Sequence, residues 1–435
     1  MTETARPSTR ERIGTDRFAS RLKNRRRKGG IVKYAGLLAI VAALATLGVL
    51  LFTIVSQGHT GFLQTRMALT VTYDPELIAP EGTTDPERLR DRQYQEILIR
   101  ALEAAVGRDV PDEDERALSR LLSTAARYDL QDEVLENPGL IGTTRDAWVT
   151  TSSVVDMAHK RKIALDVPED DRQLTDRQLE WFYELEEQDR LDTFFYWGFL
   201  TNSDSRSPEL AGLWTGIVGS AMMLAIVLVF AFPIAVIAAV YLEEFAPKNR
   251  WTELIEININ NLAAVPSIIF GLLGLAVFLN TLGMPRSSPL AGGAVLTLMT
   301  LPIIIIAARS ALRSVPPSYR DGAIMLGASR QQAVFKTVLP QALPGMLTGT
   351  IIGLSQALGE TAPLLLIGMI AFVASPPEAV TDTATALPVQ IYLWANAPET
   401  GFAEKTQAAI MVLLAFLIVM NLTAIILRNR FQKRF

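Results

Sequence analysis

Six long apolar stretches are the feature that most constrains the fold of this chain. Each has about 20 residues or more, the length that an α-helix needs to cross the hydrocarbon core of a bilayer. The first has no charged residue after Lys33 and no polar face, so it does not fit a buried helix of a water-soluble protein. The sequence therefore predicts a mainly α membrane protein with six transmembrane helices. The predicted spans are Ile31–Val55, Leu213–Leu242, Ile255–Leu279, Ala291–Ala311, Met346–Val373 and Ala408–Leu427.

Lysine and arginine residues near the span ends predict the side of the membrane that each end faces. The basic cluster that ends at Lys28 places the N-terminus in the cytoplasm. Six crossings return the C-terminus to the same side, in agreement with the basic residues that follow Leu427. The first span could be a secretory signal, but its apolar run is longer than a signal core, so we expect a retained anchor.

The spans divide the chain into four predicted parts. A basic cytoplasmic tail, expected to be disordered, covers residues 1–30, and the first transmembrane helix covers 31–55. An extracytoplasmic soluble insert follows at 56–208 and is large enough to fold as a domain. A five-helix core then covers 209–435 and contains a polar cytoplasmic loop at 316–344.

The insert is predicted to be a small, mostly helical α+β unit. Met67–Tyr73 alternates like a strand, whereas Pro86–Val106, Asp112–Arg127 and Thr175–Leu191 have the apolar spacing of helices, and Val149–Ala158 is ambiguous. The insert contains 31 acidic and 17 basic residues, so it is a poor candidate for capturing an anion. It is either an ordinary acidic domain without a specific ligand or a surface that contacts a partner protein.

Several kinds of chemistry are missing from the sequence. There is no cysteine, and the two histidines, His59 and His159, have no metal-like spacing beside them. No G-x-x-x-x-G-K-[ST] motif is present to cradle the phosphates of a nucleotide. We therefore predict no metal, no cofactor and no enzymatic activity, and an ATP-driven role would need a separate ATPase chain.

The segment Tyr319–Pro340 (YRDGAIMLGASRQQAVFKTVLP) is the one long polar, helix-compatible stretch on the predicted cytoplasmic side. Prolines bracket it, which predicts a short helical element with a defined beginning and end. Small residues such as Gly322 and Gly327 would let another surface approach the backbone closely. The segment is either a docking site for a partner that supplies energy or merely a solvated amphipathic loop.

This segment resembles the EAA loop of ABC-importer permeases of the type I (MetI-like) family. The family pattern is Glu-Ala-Ala, three residues, Gly, nine residues, then Ile, any residue and Leu-Pro. Asp321, Gly322 and Thr337 depart from it, whereas the glycine and the closing Leu-Pro match. The resemblance implies a loop that docks an ATPase. The docking residues would be Tyr319, Asp321, Gly322, Ala323, Gly327, Leu339 and Pro340.

Glu360 is the most unusual residue of the core, because it lies near the middle of the fifth predicted span. A carboxylate at that depth costs about 3 kcal/mol on insertion scales, so it faces a path, a partner or a hydrogen-bonded packing contact. Arg309 is the only nearby candidate partner. In the third span, Val265–Ser267 predicts a helix break that lines a path, or else a tolerated proline kink. The path or gate candidates are Glu360, Thr361, Gln356, Pro266 and Ser267.

The segment Gly349–Leu366 resembles the A-type subunit of phosphate-specific importers, in which Gly-Glu-Thr-Ala-Pro-Leu-Leu follows the EAA loop. Tyr241–Glu244 and Asn261–Leu272 look similar to the same subunit. Members often have arginine four residues before the glutamate, where this chain has Gln356. The missing basic group puts in doubt any neutralisation of the anion by this subunit alone.

The resemblance implies a permease subunit that moves inorganic phosphate across the bacterial cytoplasmic membrane by alternating access. It also implies a homologous second permease subunit, a dimeric cytoplasmic ABC ATPase and an extracytoplasmic phosphate-binding protein. The lipid bilayer is the remaining partner, and no nucleic acid is expected. The open alternatives are the same kind of permease for sulfate, molybdate or an amino acid, and a membrane-anchored sensor with an extracytoplasmic ligand domain.

Overall fold

The computed structural model describes residues 9–432, apart from 81, 83–84, 91, 108–109, 112–113 and 370–371. Its contacts divide the chain into two compact units, Met1–Gln57 and Gly58–Phe435. The insert and the five-helix core thus belong to one unit, and the boundary drawn between them from the sequence remains a prediction.

The first unit contains a long helix, α1 (Thr9–Gly58), which includes the first predicted span. The prediction of a disordered tail is wrong from Thr9 onwards. Residues 9–28 contain no proline and one glycine, and their frequent arginines are good helix formers, so nothing in them ends a helix. Residues 1–8 of the tail lie outside the described residues.

A three-stranded antiparallel sheet forms the centre of the insert. Strand β1 (Leu63–Thr72) lies between β2 (Thr144–Thr150) and β3 (Leu191–Phe195). The predicted strand Met67–Tyr73 is confirmed over most of its length within β1. Its alternate side chains are buried, as an alternating sequence on a sheet with one covered face requires.

Short helices complete the insert and enclose its core around Trp181 and Phe182. The helix predicted at Thr175–Leu191 is confirmed up to Glu187, and Thr175 caps it by accepting a hydrogen bond from the Gln178 amide. The helix predicted at Pro86–Val106 is two helices instead. The helices are α2 (Pro75–Ile78), α3 (Pro86–Arg90), α4 (Tyr94–Val106), α5 (Glu115–Ser119), α6 (Ala126–Glu136), α7 (Ser153–His159), α8 (Asp176–Glu187) and α9 (Gly198–Thr201).

The rest of the second unit is helical. Five helical segments of the described chain, including that of α1, are long and apolar enough to span a membrane, and a bent pair supplies a sixth if it is counted as one span. The helices after the insert are α10 (Trp214–Val240), α11 (Arg250–Ala263), α12 (Ser267–Leu273), α13 (Pro289–Ser314), α14 (Pro317–Met325), α15 (Arg330–Ala333), α16 (Leu339–Gly359), α17 (Ala362–Leu366), α18 (Leu387–Ala395) and α19 (Gly401–Gln432).

The third predicted span is broken rather than straight. Helix α11 ends at Ala263, α12 begins at Ser267, and their axes differ in direction by 104°. Pro266 sits directly before α12 in an extended conformation, and its ring and missing N–H prevent the helix from continuing through it. The break predicted at Val265–Ser267 is confirmed, and it is too sharp to be a proline kink.

The fifth predicted span also differs from the expectation. Helix α16 ends at Gly359, and Glu360 follows with φ −79° and ψ 127°, an extended conformation. The next helix, α17, has only five residues and begins at Ala362 with a proline in its first turn. The prediction of one helix over Met346–Val373 is therefore wrong, and Glu360 lies at a helix end instead of within a helix.

A small apolar cluster holds the ends of three spans together at the base of the polar loop. It joins the end of α10, the end of α13 and the continuous helical stretch that leads from α15 into α16. Val334, Val338 and Leu312 are almost fully buried in it. The polar loop between α13 and α16 thus emerges from a packed base.

Candidate functional site: the coupling loop and the broken helices

The predicted docking loop folds as two short helices, α14 and α15, joined by a turn. This differs from the single helical element that the sequence predicts, and Gly327 explains the difference. Its φ is +90°, a conformation that residues with a side chain rarely adopt, so α14 cannot continue through it. Gly322, in contrast, is an ordinary helical residue, and a Cβ added there would meet nothing within 4 Å.

The tip of the loop is apolar and open to solvent. Ile324, Met325 and Leu326 are 51%, 86% and 92% exposed. Ser329 then restarts the helix, since its hydroxyl accepts a hydrogen bond from the Gln332 amide at 3.3 Å while its own amide donates to the Gln332 side chain at 3.0 Å. Neighbouring exposed apolar side chains on a fixed turn are typical of an interaction site.

The other predicted docking residues lie on both sides of this tip. Tyr319 and Asp321 are exposed on α14, and Ala323 is half-buried beside them. Leu339 and Pro340 are half-buried at the start of α16, where the helical stretch from Arg330 continues into the span. A force applied at the tip would therefore reach the fifth span through continuous helix.

The base of the loop is tied to the second span by ion pairs. The Arg320 guanidinium donates to the Glu244 carboxylate from Nη2 at 2.5 Å and from Nε at 3.0 Å, and it donates to the Val315 and Leu312 carbonyls at 2.9 and 3.1 Å. Glu244 is buried, and Arg330 donates to its backbone carbonyl. Arg320 thus joins α14 to the ends of α10 and α13.

Glu243, the neighbour of Glu244, binds two arginines of α13. Arg313 Nε lies 2.8 Å and Arg309 Nε 3.5 Å from its carboxylate. Arg309 also pairs with Glu256 of α11 at 2.6 Å. Arg309, the nearby candidate partner of Glu360 in the sequence, is instead paired with these two carboxylates. The residues Glu243, Glu244, Arg309, Arg313 and Arg320 are called the inner latch below.

The two short helices that follow the breaks, α12 and α17, pack against each other. A Cβ added at Gly271 of α12 would come within 2.7 Å of Pro363 Cα in α17, so only a glycine permits this approach. The structure thereby brings the segment that begins with Pro266 and Ser267 next to the one that begins with Thr361. Interrupted helices at membrane depth are tolerated where they are buried in protein or line a cavity.

Glu360 lies at the end of α16, beside this contact. It is half-buried, and within the described residues no ion pair or hydrogen bond of its carboxylate is found. Gln356, one turn earlier on α16, is exposed. The geometry leaves the carboxylate available to water or to another chain.

A second set of charges connects the insert to the last span. The ammonium of Lys160, the residue directly after α7, binds Asp156 at 2.8 Å and Glu404 at 3.1 Å, and it donates to the carbonyls of Leu63 and Thr60. The side chains of Lys160 and Glu404 are only 4% and 3% exposed. This buried arrangement joins the beginning of β1, α7 and the first turn of α19.

Lys405 extends the same arrangement. Its ammonium donates to the Gly61 carbonyl at 2.9 Å and lies 4.9 Å from the ring centre of Tyr196. Nearby, Glu209 accepts a hydrogen bond from the Ser153 amide at 2.5 Å, and burial raises the pKa of its carboxyl. The residues Asp156, Lys160, Glu209, Glu404 and Lys405 are called the junction cluster below.

Sequence reasoning missed both charge clusters. The pair Glu243-Glu244 at the end of a span and the pair Glu404-Lys405 at the start of another were the available signals, because charged residues at span ends need partners. Their partners are 66 to 344 positions away in the sequence, for example Arg309 for Glu243 and Gly61 for Lys405, and spacing alone could not identify them.

Two family models match the chain. The model described as "Binding-protein-dependent transport system inner membrane component" matches residues 231–435, and one described as "Domain of unknown function (DUF3333)" matches residues 19–169. The first match covers the last part of α10 and all the helices after it, including the loop and both breaks. The second covers most of α1 and much of the insert.

Curated relatives agree with the first model. "Phosphate transport system permease protein PstA 2" of Mycobacterium tuberculosis (strain CDC 1551 / Oshkosh) is 33% identical over 231 residues, which cover 52% of this chain and 74% of the relative. "Probable ABC transporter permease protein YqgI" of Bacillus subtilis (strain 168) is 33% identical over 168 residues, 38% of this chain and 56% of the relative. The chain thus spans little more than half the length of the latter.

Among solved structures, an inward-facing form of the MetNI methionine ABC transporter matches with a TM-score of 0.41 and 19% identity, over 50% of this chain and 97% of that one. On the strength of the family model and of the relatives, this chain belongs to the binding-protein-dependent transport system inner membrane components, the MetI-like membrane permeases of ABC transporters.

Proposed function

We propose that this chain is the permease subunit of an ATP-driven importer that carries inorganic phosphate across the bacterial cytoplasmic membrane. The observation that carries the proposal is the interrupted fifth span, in which Gly359-Glu360-Thr361-Ala362-Pro363 forms a half-buried helix break packed against the broken third span. Relatives named as phosphate permeases, matched over the same half of the chain, support the choice of cargo.

The energy comes from a separate ATPase that docks on the loop at 316–344. An apolar tip at Ile324–Leu326 offers such a partner a contact that costs little to desolvate. The positive-inside pattern supports a cytoplasmic position for this loop, with both termini on that side. A homologous permease subunit, a second ATPase copy and an extracytoplasmic phosphate-binding protein complete the importer.

The inner latch carries the movement from the loop to the spans. When the ATPase displaces α14, Arg320 pulls on Glu244 at the end of α10 and on the carbonyls at the end of α13. Glu243 lies next to Glu244 and binds Arg309 and Arg313 of α13. A movement of Glu244 therefore either moves α10 and α13 together or makes Glu243 exchange one arginine for the other. ATP binding drives the cycle only because it favours one arrangement of this latch over the other.

Glu360 is proposed as a gate rather than a phosphate ligand, because a carboxylate repels an anion. An arginine from the second permease would pair with it in one state and release it in the other. Gln356 adds a neutral hydrogen-bonding group one turn earlier, and Thr361 and Ser267 add hydroxyl groups at the two breaks. The basic groups that neutralise phosphate would then come from the second permease.

Phosphate uptake in a strain that lacks this gene tests the proposal. Uptake of radiolabelled phosphate should fall in the deletion strain and return when the gene is supplied, and excess sulfate, molybdate or methionine should not compete. Restored uptake that one of these solutes abolishes would assign that cargo instead. Unchanged phosphate uptake, with every other phosphate transporter deleted, would contradict the proposal.

A further inference from the structure

Three large aromatic side chains lie on the surface where the insert meets the spans. Phe195 is 47%, Trp197 68% and Trp214 43% exposed. The rings of Phe195 and Trp197 contact each other edge to face, with centroids 4.7 Å apart. These three residues are called the aromatic patch, and neither the core of the insert nor the proposed transport path uses them.

The position of the aromatic patch is fixed by its neighbours. Phe195 pairs with Leu63 at the end of the β1–β3 ladder, directly after Phe62, which ends the first candidate span. Trp214 is the first residue of α10. Tyr196, between the two patch residues of the insert, turns the other way and covers Lys405 in the first turn of α19. The patch therefore lies beside the beginnings of α10 and α19.

The patch also continues the surface of a span. Along α10, an exposed stripe at helical spacing runs from Trp214 through Ala221 and Ala225 to Leu228. Within the described residues, no acceptor is found for the indole N–H of Trp197 or of Trp214. A large ring with one polar N–H suits the boundary between lipid headgroups and acyl chains, where the ring is buried and the N–H stays hydrated.

We propose that the aromatic patch inserts into the headgroup region of the leaflet on the insert's side and seats the insert on the bilayer. The junction cluster holds the insert to α19 from the protein side, and the patch holds it from the lipid side. The inference depends on the spans crossing a membrane and not on the transported solute. It therefore stands or falls separately from the assignment of phosphate.

Fluorescence quenching by lipid tests the patch, and Trp148 is its matched control. Trp148 is 37% exposed, sits opposite Ala68 within the sheet, and contacts the ring of Phe194, so it is an exposed tryptophan of the insert that does not belong to the patch. The full chain would be reconstituted in nanodiscs of phosphatidylcholine with or without bromine on the acyl chains near the headgroup. Emission would be compared between the parent, W197F, W214F and W148F, which all replace exposed side chains.

The proposal predicts that W197F and W214F each lose part of the emission that brominated lipid quenches. W148F should lose only emission that the lipid does not quench and that aqueous acrylamide does. Two results would overturn the proposal. If acrylamide but not lipid quenches the Trp197 emission, the patch faces water, and if neither quenches it, another protein covers the patch.

Discussion

The inner latch and the junction cluster are both sets of arginine or lysine with carboxylates at the ends of spans, but they differ in exposure. In the junction cluster, Lys160 and Glu404 are almost completely buried, and the lysine has acceptors on three segments. In the inner latch, Glu244 and Arg309 are only 8% and 9% exposed, but Arg313 is 59% and Arg320 24% exposed, and Glu243 is shared by two arginines.

This difference in burial indicates which of the two clusters can rearrange. Breaking a buried ion pair leaves a desolvated charge, which is strongly unfavourable, so the junction cluster fixes the insert to α19. In the latch, water can hydrate Arg313 and Arg320 when they leave their carboxylates, and the shared carboxylate of Glu243 can exchange arginines. The loop end can therefore rearrange during a transport cycle, while the insert end stays rigid.

The largest expected effect on stability is at Lys160. Replacing it with methionine leaves Asp156 and Glu404 buried without their cation, and the loss of one partner of such a pair costs about 3–5 kcal/mol. Thermal unfolding of the purified protein and protease resistance of the insert would both report the loss. K162M, at an exposed lysine two positions away, is the control and should behave like the parent. An unchanged K160M would mean that the cluster does not fix the insert.

The next effect is at Glu244 in the inner latch. E244Q removes the charge that accepts two hydrogen bonds from Arg320, and a hydrogen bond to a charged group contributes about 1.5–3 kcal/mol net. Because Arg320 can reach water, we expect a smaller loss of stability than in K160M and a clear loss of ATP-driven uptake. In a double-mutant cycle with R320Q, the two effects should not add. Additive effects would show that the pair transmits nothing.

The third prediction concerns Gly327, in the turn between α14 and α15. G327V forces a β-branched residue to φ +90°, which costs about 1–2 kcal/mol and changes the direction of the exposed tip. Uptake should be lost while the amount of protein in the membrane and its unfolding temperature stay close to those of the parent. G327N is the control, since asparagine adopts a positive φ more readily than valine and should keep the turn. If the two variants have equal uptake, the conformation of this turn is not needed for transport.

The smallest effect on stability is expected at Glu360. E360Q keeps the size of a half-buried side chain that has no partner among the described residues, so the unfolding temperature should not change. Uptake should fall or become leaky, because the neutral side chain cannot exchange an ionic partner. A variant that is less stable but transports normally would favour the alternative of a glutamate that only packs helices.

Apolar run length predicted most of the fold, because a membrane-spanning helix must be long and apolar wherever it lies. The breaks were harder. Pro266 made the break in the third span predictable. In the fifth span, α16 ends at Gly359 and Glu360 without a proline at the break itself, and the sequence is equally apolar on both sides. A run of apolar residues cannot distinguish one straight helix from two shorter elements.

For the candidate site too, some features could be predicted from the sequence and others could not. Local signals identified Tyr319–Pro340 and Gly327, since a loop and its glycine are encoded within a few residues. The inner latch and the junction cluster depend on contacts between distant segments, such as Lys160 with Glu404, so the sequence shows their members and not their pairing.

Labelling of a single cysteine at the loop tip tests most directly whether the loop is the contact that drives transport. The chain has no cysteine of its own, so L326C, at a side chain that is 92% exposed, provides a unique target for a maleimide. Labelling should be fast in the permease alone and strongly slowed in the complex with its ATPase, while K248C, on the connection between α10 and α11, keeps its rate in both. Equal labelling of L326C with and without the ATPase would contradict the account.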